Sequence, residues 1–262
     1  MEIILNQRSF TITPNHIYDD SFWKKFSERK YESFTQLFMY ENLSHNAQLF
    51  DIGAAAGSYA LLALSLKSSV VAVEAVPSIF GALHRNIENS RESKDSVVLV
   101  CAAVSGDSGE ISAEDSLRSK VLSSIVFTDI ESKGEINRVR LVDLFASYRD
   151  KKPECIIKMD IEGGEFELLS IFENVKLLSK EKALLHLSLH PGFMRPPMRL
   201  PRIFRPVQRL MRTLMNSVDV LRLYRNVFGK CKIFCNGVRV DSSWRFLFLV
   251  LLRFYDFVLD FR

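Results

Sequence analysis

An acidic residue and two glycines follow an apolar run early in the chain, where a ligand could be held. Residues 49–52 lead through Asp51 into Gly53 and Gly57, with the spacing DxGxxxG, and an apolar helical pattern follows. A dinucleotide site needs GxGxxG, whose glycines let backbone amides close on a pyrophosphate, and position 55 here is alanine. A carboxylate beside the turn would repel a diphosphate, so the turn favours a ligand with positive charge.

A second acid ends the next apolar run, VVAVEA. Glu74 stands about twenty residues beyond the turn, where a carboxylate can accept both hydroxyls of a ribose. Taken singly, Asp51 is more simply a helix cap and Glu74 a solvated strand end. Together, at matching strand ends, they favour an adenosine that carries a positive group, and S-adenosylmethionine is such a molecule.

Three charged residues alternate at the end of another apolar run. Lys158, Asp160 and Glu162 share one side of a strand with a period of two, and three charges on a core strand are costly unless they are paired. Methyl transfer is an in-line displacement at a sulfonium, and a hydroxyl acceptor must also lose its proton. We interpret Asp160 as a contact to cofactor or acceptor, Glu162 as a candidate general base and Lys158 as the group that holds their geometry. The alternative is a structural salt bridge.

His190 is the second candidate base, because it ends a later apolar run and an imidazole can accept a hydroxyl proton near neutral pH. The alternative is a hydrogen-bond donor that caps the strand. His186, four residues earlier on the same face, is predicted to be a packed core residue. A bound divalent metal could replace the base, but no cluster of metal ligands is evident in the sequence, so we predict no metal ligands and leave metal dependence open.

The elements that must position these residues alternate between strand-like and helix-like runs. Near-continuous apolar strands separated by amphipathic helices are typical of a parallel sheet covered on both faces. We therefore predict a doubly wound α/β fold, in which ligands bind at the carboxyl ends of the strands. Helices are expected at 58–67, 78–89 and 164–173, and a loop with one short strand and helix at 106–154.

Several short motifs occur in a fixed order along residues 31–190. They are Tyr31-Glu32, DIGAAAG, EAVP followed by Phe80, Leu83 and Asn86, AAVSGDSG, KMDIEGGE and LSLHP. This series resembles the FkbM family of S-adenosylmethionine-dependent methyltransferases. The resemblance implies the Rossmann-like class I methyltransferase fold and O-methylation of a sugar, glycan or secondary metabolite. The cofactor site predicted with it comprises Asp51, Gly53, Ala54, Gly57, Tyr59, Glu74, Ala75, Ala103 and Asp160.

Three positions depart from the family pattern. Ala55 stands where Asn or His is usual, and Ala75 replaces the first proline, which loosens details of the cofactor contact. Ser188 stands where an acid usually precedes His190. No role for an acid is therefore carried over to position 188.

The net charge of +4 is concentrated in one segment. Residues 191–232 hold ten Lys and Arg against the single Asp219, a local net of +9 that leaves −5 elsewhere. This favours a local anionic partner, and nucleic acid is unlikely because no stacking aromatics are interleaved with the arginines. Residues 203–228 have helical spacing, with Arg205, Arg209 and Arg212 on one side. A lid packed on the domain is the first interpretation; an anionic membrane contact or a substrate clamp is the second.

The last part of the chain is strongly apolar. The charge-free run from Phe246 to Leu252 is far shorter than the about 20 residues of a membrane helix. We predict a buried final strand within residues 242–262, preceded by a hairpin that turns at Asn236-Gly237.

The predicted organisation has four parts: a lead-in at 1–48, the cofactor-binding core at 49–192, a basic, partly helical insertion or lid at 193–232, and sheet-completing strands at 233–262. The first residues show no secretory pattern, and the cysteines show no zinc spacing. We expect a cytoplasmic protein, with peripheral membrane contact as an open alternative.

Two classes of function stay open. The first is an S-adenosylmethionine-dependent O-methyltransferase with a small-molecule or glycan acceptor. The second is a non-catalytic nucleoside-binding module that acts through its basic segment at an anionic membrane or partner. The residues that favour the enzyme are the intact Asp51, Gly53, Gly57, Glu74 and Asp160. The sequence identifies neither the acceptor nor the oligomeric state.

Overall fold

Strands and helices alternate along most of the chain. The structure, a computed structural model, describes residues 2–5, 8–15, 18–90, 92, 94–112, 135–161, 164–190, 205–252 and 255–262. Its strands are β1 (Glu2–Leu5), β2 (Arg8–Thr11), β3 (Ala47–Ile52), β4 (Ser69–Glu74), β5 (Val97–Cys101), β6 (Ala103–Ser105), β7 (Gly109–Ser112), β8 (Glu135–Arg140), β9 (Glu154–Met159), β10 (Leu184–Ser188), β11 (Lys232–Cys235), β12 (Val238–Arg239) and β13 (Asp256–Asp260). Its helices are α1 (Asp20–Ser27), α2 (Ser33–Asn42), α3 (Ser58–Ser65), α4 (Pro77–Glu88), α5 (Leu141–Tyr148), α6 (Glu165–Leu168), α7 (Phe172–Lys180), α8 (Arg205–Val227) and α9 (Ser243–Leu251).

Eight strands form one sheet in the order β12-β11-β13-β10-β9-β3-β4-β5. The five strands from β10 to β5 run parallel, so their carboxyl ends meet at one edge. β13 lies antiparallel between β10 and β11. The predicted doubly wound α/β fold is confirmed.

The central strands are apolar on both faces because helices cover both sides of the sheet. Phe50 and Ile52 of β3 pack with residues of α5 to α9 in one cluster. Leu49 of β3, with Val70 and Ala72 of β4, packs with residues of α1 to α4 in the other. The lead-in elements β1, β2, α1 and α2 thus belong to one cover of the sheet. The domain boundaries after residues 48, 192 and 232 stay predictions.

The helix predicted over 164–173 is wrong in extent, because α6 ends at Leu168 and α7 begins at Phe172. Two side chains donate hydrogen bonds to backbone carbonyl oxygens at the break between the helices. Asn174 Nδ2 donates to Leu168 O at 2.9 Å, and Ser170 Oγ donates to Glu167 O at 2.7 Å. Such side-chain bonds compete with the continuing helix. Between residues 106 and 154, the described part contains β7 as well as the predicted short strand (β8) and helix (α5).

The apolar end of the chain divides into a helix and a strand. Residues 243–251 form α9, which begins where Ser242 Oγ accepts the Arg245 backbone N–H at 3.3 Å, and the final strand is confined to β13. The predicted hairpin turn is confirmed: Asn236 and Gly237 have φ of 49° and 75°, and Cys235 pairs with Val238. No helix among the described residues is long and apolar enough to cross a membrane.

His186 is fully buried on β10, beside the rings of Phe34 and Phe38 at 5.8 and 5.2 Å. Neither of its ring nitrogens has a hydrogen-bond partner within the described residues. Burial, helped by the positive charge of Lys158, lowers the pKa of His186 from 6.5 to about 3. His186 is therefore a neutral core residue, as the sequence predicts.

The buried imidazole makes the fold sensitive to acid. The unfolded chain takes up a proton below pH 6.5 while the folded chain resists it until about pH 3, so folding free energy is lost as pH falls through this window. At pH 5 the loss from this group is about 2 kcal/mol. The free energy of unfolding, measured with urea, should fall between pH 7 and pH 5. We expect the fall to be smaller in His186→Leu by the contribution of this imidazole.

His84→Leu on the exposed side of α4 is the matched control and should keep the full acid sensitivity. Parallel losses of stability in the wild type and His186→Leu would contradict the assignment, because groups shared by the two proteins cancel in the comparison.

Candidate active site

A buried lysine lies at the carboxyl edge of the sheet. Lys158 Nζ is 3.6 Å from Asp51 Oδ1 and 3.7 Å from Asp160 Oδ2, and it donates to the Gly53 carbonyl oxygen at 3.2 Å. Asp51 and Lys158 are opposite each other in the pairing of β3 with β9. The structure therefore brings together charged residues predicted from two separate motifs.

This lysine is outnumbered by carboxylates. Burial on its own would lower the pKa of Lys158, but the carboxylates of Asp160, Asp51 and Glu32 outweigh burial and raise it above its ordinary value. Burial raises the pKa of Asp51 to about 6, against the opposing effect of Lys158. Neither Asp51 oxygen has a hydrogen-bond partner within 3.5 Å in the described part of the chain. The edge thus has an excess of negative charge when its carboxylates are ionised.

Glu32 belongs to this cluster, although the sequence reading assigned it no role. Tyr59 Oη donates to Glu32 Oε2 at 2.9 Å, and the Tyr59 ring centroid lies 5.4 Å from Lys158 Nζ. Burial raises the pKa of Glu32, with Lys158 opposing. Glu32 has a φ of 45°, a left-handed conformation that is strained for a side chain with a Cβ. The motif Tyr31-Glu32 was the available signal for this position.

The glycine turn is pressed against the neighbouring strands. The backbone N–H groups of Gly53 and Ala54 donate to Val73 O at 3.0 and 2.9 Å. Gly53 has a φ of 81°, and a Cβ there would lie 2.0 Å from Asp160 O. Gly57 has a φ of 90° at the start of α3. Both positions need glycine, because residues with a Cβ rarely adopt these positive φ angles.

Glu74 is held by backbone amides at the end of β4. Its Oε2 accepts the Ala55 N–H at 3.0 Å and its Oε1 accepts the Val76 N–H at 2.9 Å. Burial raises the pKa of Glu74, while these two amides oppose the shift. Each carboxylate oxygen carries two lone pairs. One bond to each oxygen therefore fixes the orientation and leaves acceptor capacity for a ligand.

The smaller predicted cofactor residues lie beside these anchors. Ala75 follows Glu74 and is partly exposed, and Ala54 is buried in the glycine turn. The Ala102 N–H donates to Glu74 O at 3.1 Å, which places Ala103, the next residue, close to the end of β4. The predicted cofactor residues thus gather at the ends of adjacent strands.

His190 pairs with a carboxylate that the sequence reading did not single out. Its Nδ1 lies 3.3 Å from Glu165 Oε1 and 3.5 Å from Asp160 Oδ1. Glu165 is fully buried at the start of α6 and also accepts the Ile161 N–H at 3.0 Å. Glu165 is the last residue of the motif KMDIEGGE, and this motif could have identified it from the sequence. The other predicted base, Glu162, lies outside the described residues.

Asp160, Glu165 and His190 can also be considered as metal ligands. One atom from each lies within 4.8 Å of the others, a spacing that could hold a cation. The sequence reading found no such cluster because it did not single out Glu165. The absence of a resident metal stays a prediction, and these three residues are where it can be tested.

An acid from another strand lies next to the position of the missing family acid. Ser188 Oγ donates to Asp256 Oδ1 at 3.0 Å, and the two residues are opposite each other in the pairing of β10 with β13. Burial raises the pKa of Asp256, which also senses the charges of Asp160 and His190. Asp256 therefore belongs to the same electrostatic site.

The predicted basic helix forms over 205–227 as α8. Arg205, Arg209 and Arg212 are within it, but their side chains lie outside what the structure describes. Their grouping on one side of the helix therefore stays a prediction.

Comparisons with known proteins identify the family. A family model described as the methyltransferase FkbM domain matches residues 51–186. No curated protein matches the chain. Among solved structures, an FkbM methyltransferase from Methylobacillus flagellatus KT is similar with a TM-score of 0.45 and 14% identity, over 92% of this chain and 55% of that one. Fibrillarin from Aeropyrum pernix with natively bound S-adenosyl-L-methionine has a TM-score of 0.38 and 9% identity, over 84% of this chain and 68% of that one.

The family match extends over more than half of the chain. It includes the glycine turn, Glu74, Glu165 and, of the Lys158 cluster, Asp51, Lys158 and Asp160, and it supports S-adenosylmethionine as the cofactor. The chain spans 55% of the length of the FkbM methyltransferase from Methylobacillus. On the strength of the family match, this chain belongs to the FkbM family of S-adenosylmethionine-dependent methyltransferases.

Proposed function

We propose that this protein transfers the methyl group of S-adenosylmethionine to a hydroxyl of a sugar, glycan or secondary metabolite. The observation that carries the proposal is the carboxylate edge around Lys158, which joins a ribose-type anchor, Glu74, to an imidazole–carboxylate pair, His190 and Glu165. Glu74 suits binding of the cofactor, and the pair of His190 and Glu165 suits removal of a hydroxyl proton. The acceptor class rests on the family resemblance.

The residues at the turn fit S-adenosylmethionine. Glu74 keeps lone pairs for two ribose hydroxyls, because its two backbone bonds use only part of its acceptor capacity. Gly53 and Gly57 give the turn its shape, because both have a positive φ and a Cβ would meet Asp160 O at Gly53 and the Leu83 side chain at Gly57. The excess negative charge near Lys158 suits a ligand with sulfonium and ammonium groups. When bound, the cofactor supplies an electrophilic methyl group.

The charged cluster divides into contact and positioning residues. The side chain of Asp160 is 19% exposed, which lets it contact cofactor or acceptor, whereas that of Asp51 is fully enclosed. We assign Asp51 to hold Lys158, and Lys158 to orient Asp160. Tyr59 on α3 and Glu32, just before α2, close the same cluster.

We assign proton removal to His190. A proton on Nδ1, donated towards Glu165 Oε1 at 3.3 Å, fixes the tautomer in which Nε2 carries the basic lone pair. The hydroxyl proton then passes to Nε2, and Glu165 stabilises the resulting imidazolium. Asp256 adds a further negative charge near this imidazole.

We place the reaction in the cytoplasm. The four cysteines of the chain are free thiols in the structure, as is usual in a reducing compartment. Cys155 and Cys231 are buried enough that burial raises the pKa of each thiol to about 12. These two thiols are therefore unreactive at neutral pH.

A non-catalytic nucleoside-binding module is the alternative. It shares the cofactor-binding expectation but predicts no methyl transfer. A screen of glycans and lipid-linked sugars with methyl-labelled cofactor distinguishes the two. Label on an acceptor oxygen supports the proposal, label on nitrogen or carbon contradicts O-methylation, and binding without transfer favours the module.

Glu74 provides the first test of the cofactor site. Losing a hydrogen bond to a charged group costs about 1.5–3 kcal/mol, so Glu74→Ala should weaken S-adenosylmethionine binding by roughly 10- to 100-fold. Glu74→Gln should also fail, because its NH₂ group would meet the N–H of Ala55 or Val76. The measurement is the cofactor-induced rise in melting temperature.

Glu88→Ala on α4, where the Glu88 side chain is 49% exposed and paired with Lys94, is the control and should retain the full thermal shift. Equal stabilisation of wild type and Glu74→Ala by the cofactor would remove Glu74 from the site.

His190 provides the test of catalysis. His190→Gln should lower turnover by about 100-fold or more and leave cofactor affinity nearly unchanged, the pattern of a group that acts in the transition state. The acid limb of the pH–rate profile should disappear with the imidazole. Exposed His45→Gln is the matched control.

The same assay tests metal dependence. If His190 acts as the base, a chelator should leave turnover unchanged. Loss of turnover with chelator, restored by a divalent cation, would reassign Asp160, Glu165 and His190 as metal ligands. Unaltered turnover in His190→Gln would return His190 to a strand-capping role.

A further inference from the structure

Helix α9 presents an apolar face to solvent. Four large apolar side chains form what we call the outer stripe: Trp244, Phe248, Leu251 and Leu252, exposed by 74%, 60%, 51% and 52%. Their spacing of four, seven and eight residues places them along one side of a helix. Phe246, Leu247 and Val250, on the opposite side, are buried in the core. The helix is therefore apolar on both faces.

Such a helix is unusual at a protein surface. A surface helix normally turns charged and polar residues outward, but α9 contains only Ser243 and Arg245 as polar residues. A contiguous set of exposed large apolar residues typically marks a place where another phase or molecule binds. We therefore expect the outer stripe to bind a counterpart, which is either another phase or another molecule.

Cationic residues lie near the outer stripe along the chain and on the helix that packs beside α9. Helix α9 packs on α8, where the rings of Phe246 and Tyr224 lie 5.4 Å apart. Arg222 and Arg225 on α8 are exposed, and Arg245 follows Trp244 directly. Residues 205–252 hold nine Lys and Arg against two Asp, a net of +7. The counterpart is therefore expected to be apolar and negatively charged.

We propose that α9 is an interfacial helix that holds this protein on an anionic lipid membrane. The outer stripe enters the boundary between head groups and acyl chains, and the cations of α8 and Arg245 face the anionic head groups. Tryptophan suits this position, because its ring is apolar and its N–H remains near water. A bilayer offers apolar and negative surface together without requiring a matched shape. The proposal rests on these surface features and is independent of the reaction proposed above.

The two tryptophans of the chain make the proposal directly measurable. Trp23 is fully buried and Trp244 is 74% exposed, so a change in emission on adding vesicles reports Trp244. The vesicles contain phosphatidylcholine and phosphatidylserine, mixed at about 3:1, so that their surface is anionic. We expect a blue shift of the tryptophan emission and co-sedimentation of the protein with the vesicles, both weakened by added salt. Trp244→Phe should still sediment but lose the blue shift.

Variants separate the two parts of the surface. Phe248→Glu with Leu251→Glu should abolish sedimentation, because both side chains would carry charge into the interface. Arg222→Glu with Arg225→Glu should weaken binding by at least about fivefold per position. Ile4→Glu with Leu37→Glu, at apolar positions exposed by 63% and 49% elsewhere, is the matched control and should bind like the wild type.

Three results would overturn the proposal. The first is no binding of the wild type to anionic vesicles. The second is equal binding by the wild type and the Phe248→Glu, Leu251→Glu variant. The third is a concentration-dependent dimer that this variant abolishes while vesicles have no effect, because the stripe would then bind a second copy of the chain.

Discussion

One buried cation sets the arrangement at the carboxyl edge of the sheet. Taking the Lys158 ammonium out of water costs several kcal/mol, and the nearby carboxylates offset that cost. The carboxylates come from three different elements, as Asp51 is on β3, Asp160 follows β9 and Glu32 precedes α2. Asp51, which is fully buried, would itself be an uncompensated charge without the lysine. The turn, the strand end and the helix start are therefore mutually dependent.

Asp160 lies between the two halves of this edge, to which we assign cofactor binding and proton removal. Its carboxylate lies 3.7 Å from Lys158 Nζ and 3.5 Å from His190 Nδ1. Lys158 faces the glycine turn, and His190 faces Glu165. A change of charge in one half is therefore felt in the other, which fits a site where a cationic ligand and a proton acceptor have to work side by side.

The sequence alone was sufficient to predict those features that depend on a local pattern of residues. Continuous apolar runs indicated strands buried on both faces, and a period of two placed Lys158 and Asp160 together. Short apolar runs were ambiguous, because periodicity alone does not separate a buried strand from a helix. For that reason α9 was missed, and with it the outer stripe. Asp256 could not be found beside Ser188, since the two are 68 residues apart and meet only through strand pairing.

The position of β13 has a consequence for biosynthesis. β13 follows β11 and β12 along the chain, yet it is inserted between β10 and β11. During translation, β10 therefore waits with an open edge, a state in which strands are prone to wrong pairing and chaperone capture. The insertion of β13 closes that edge and brings Asp256 to Ser188 in the same event. In this fold, the end of β10, where Ser188 meets Asp256, is completed only when the sheet itself is.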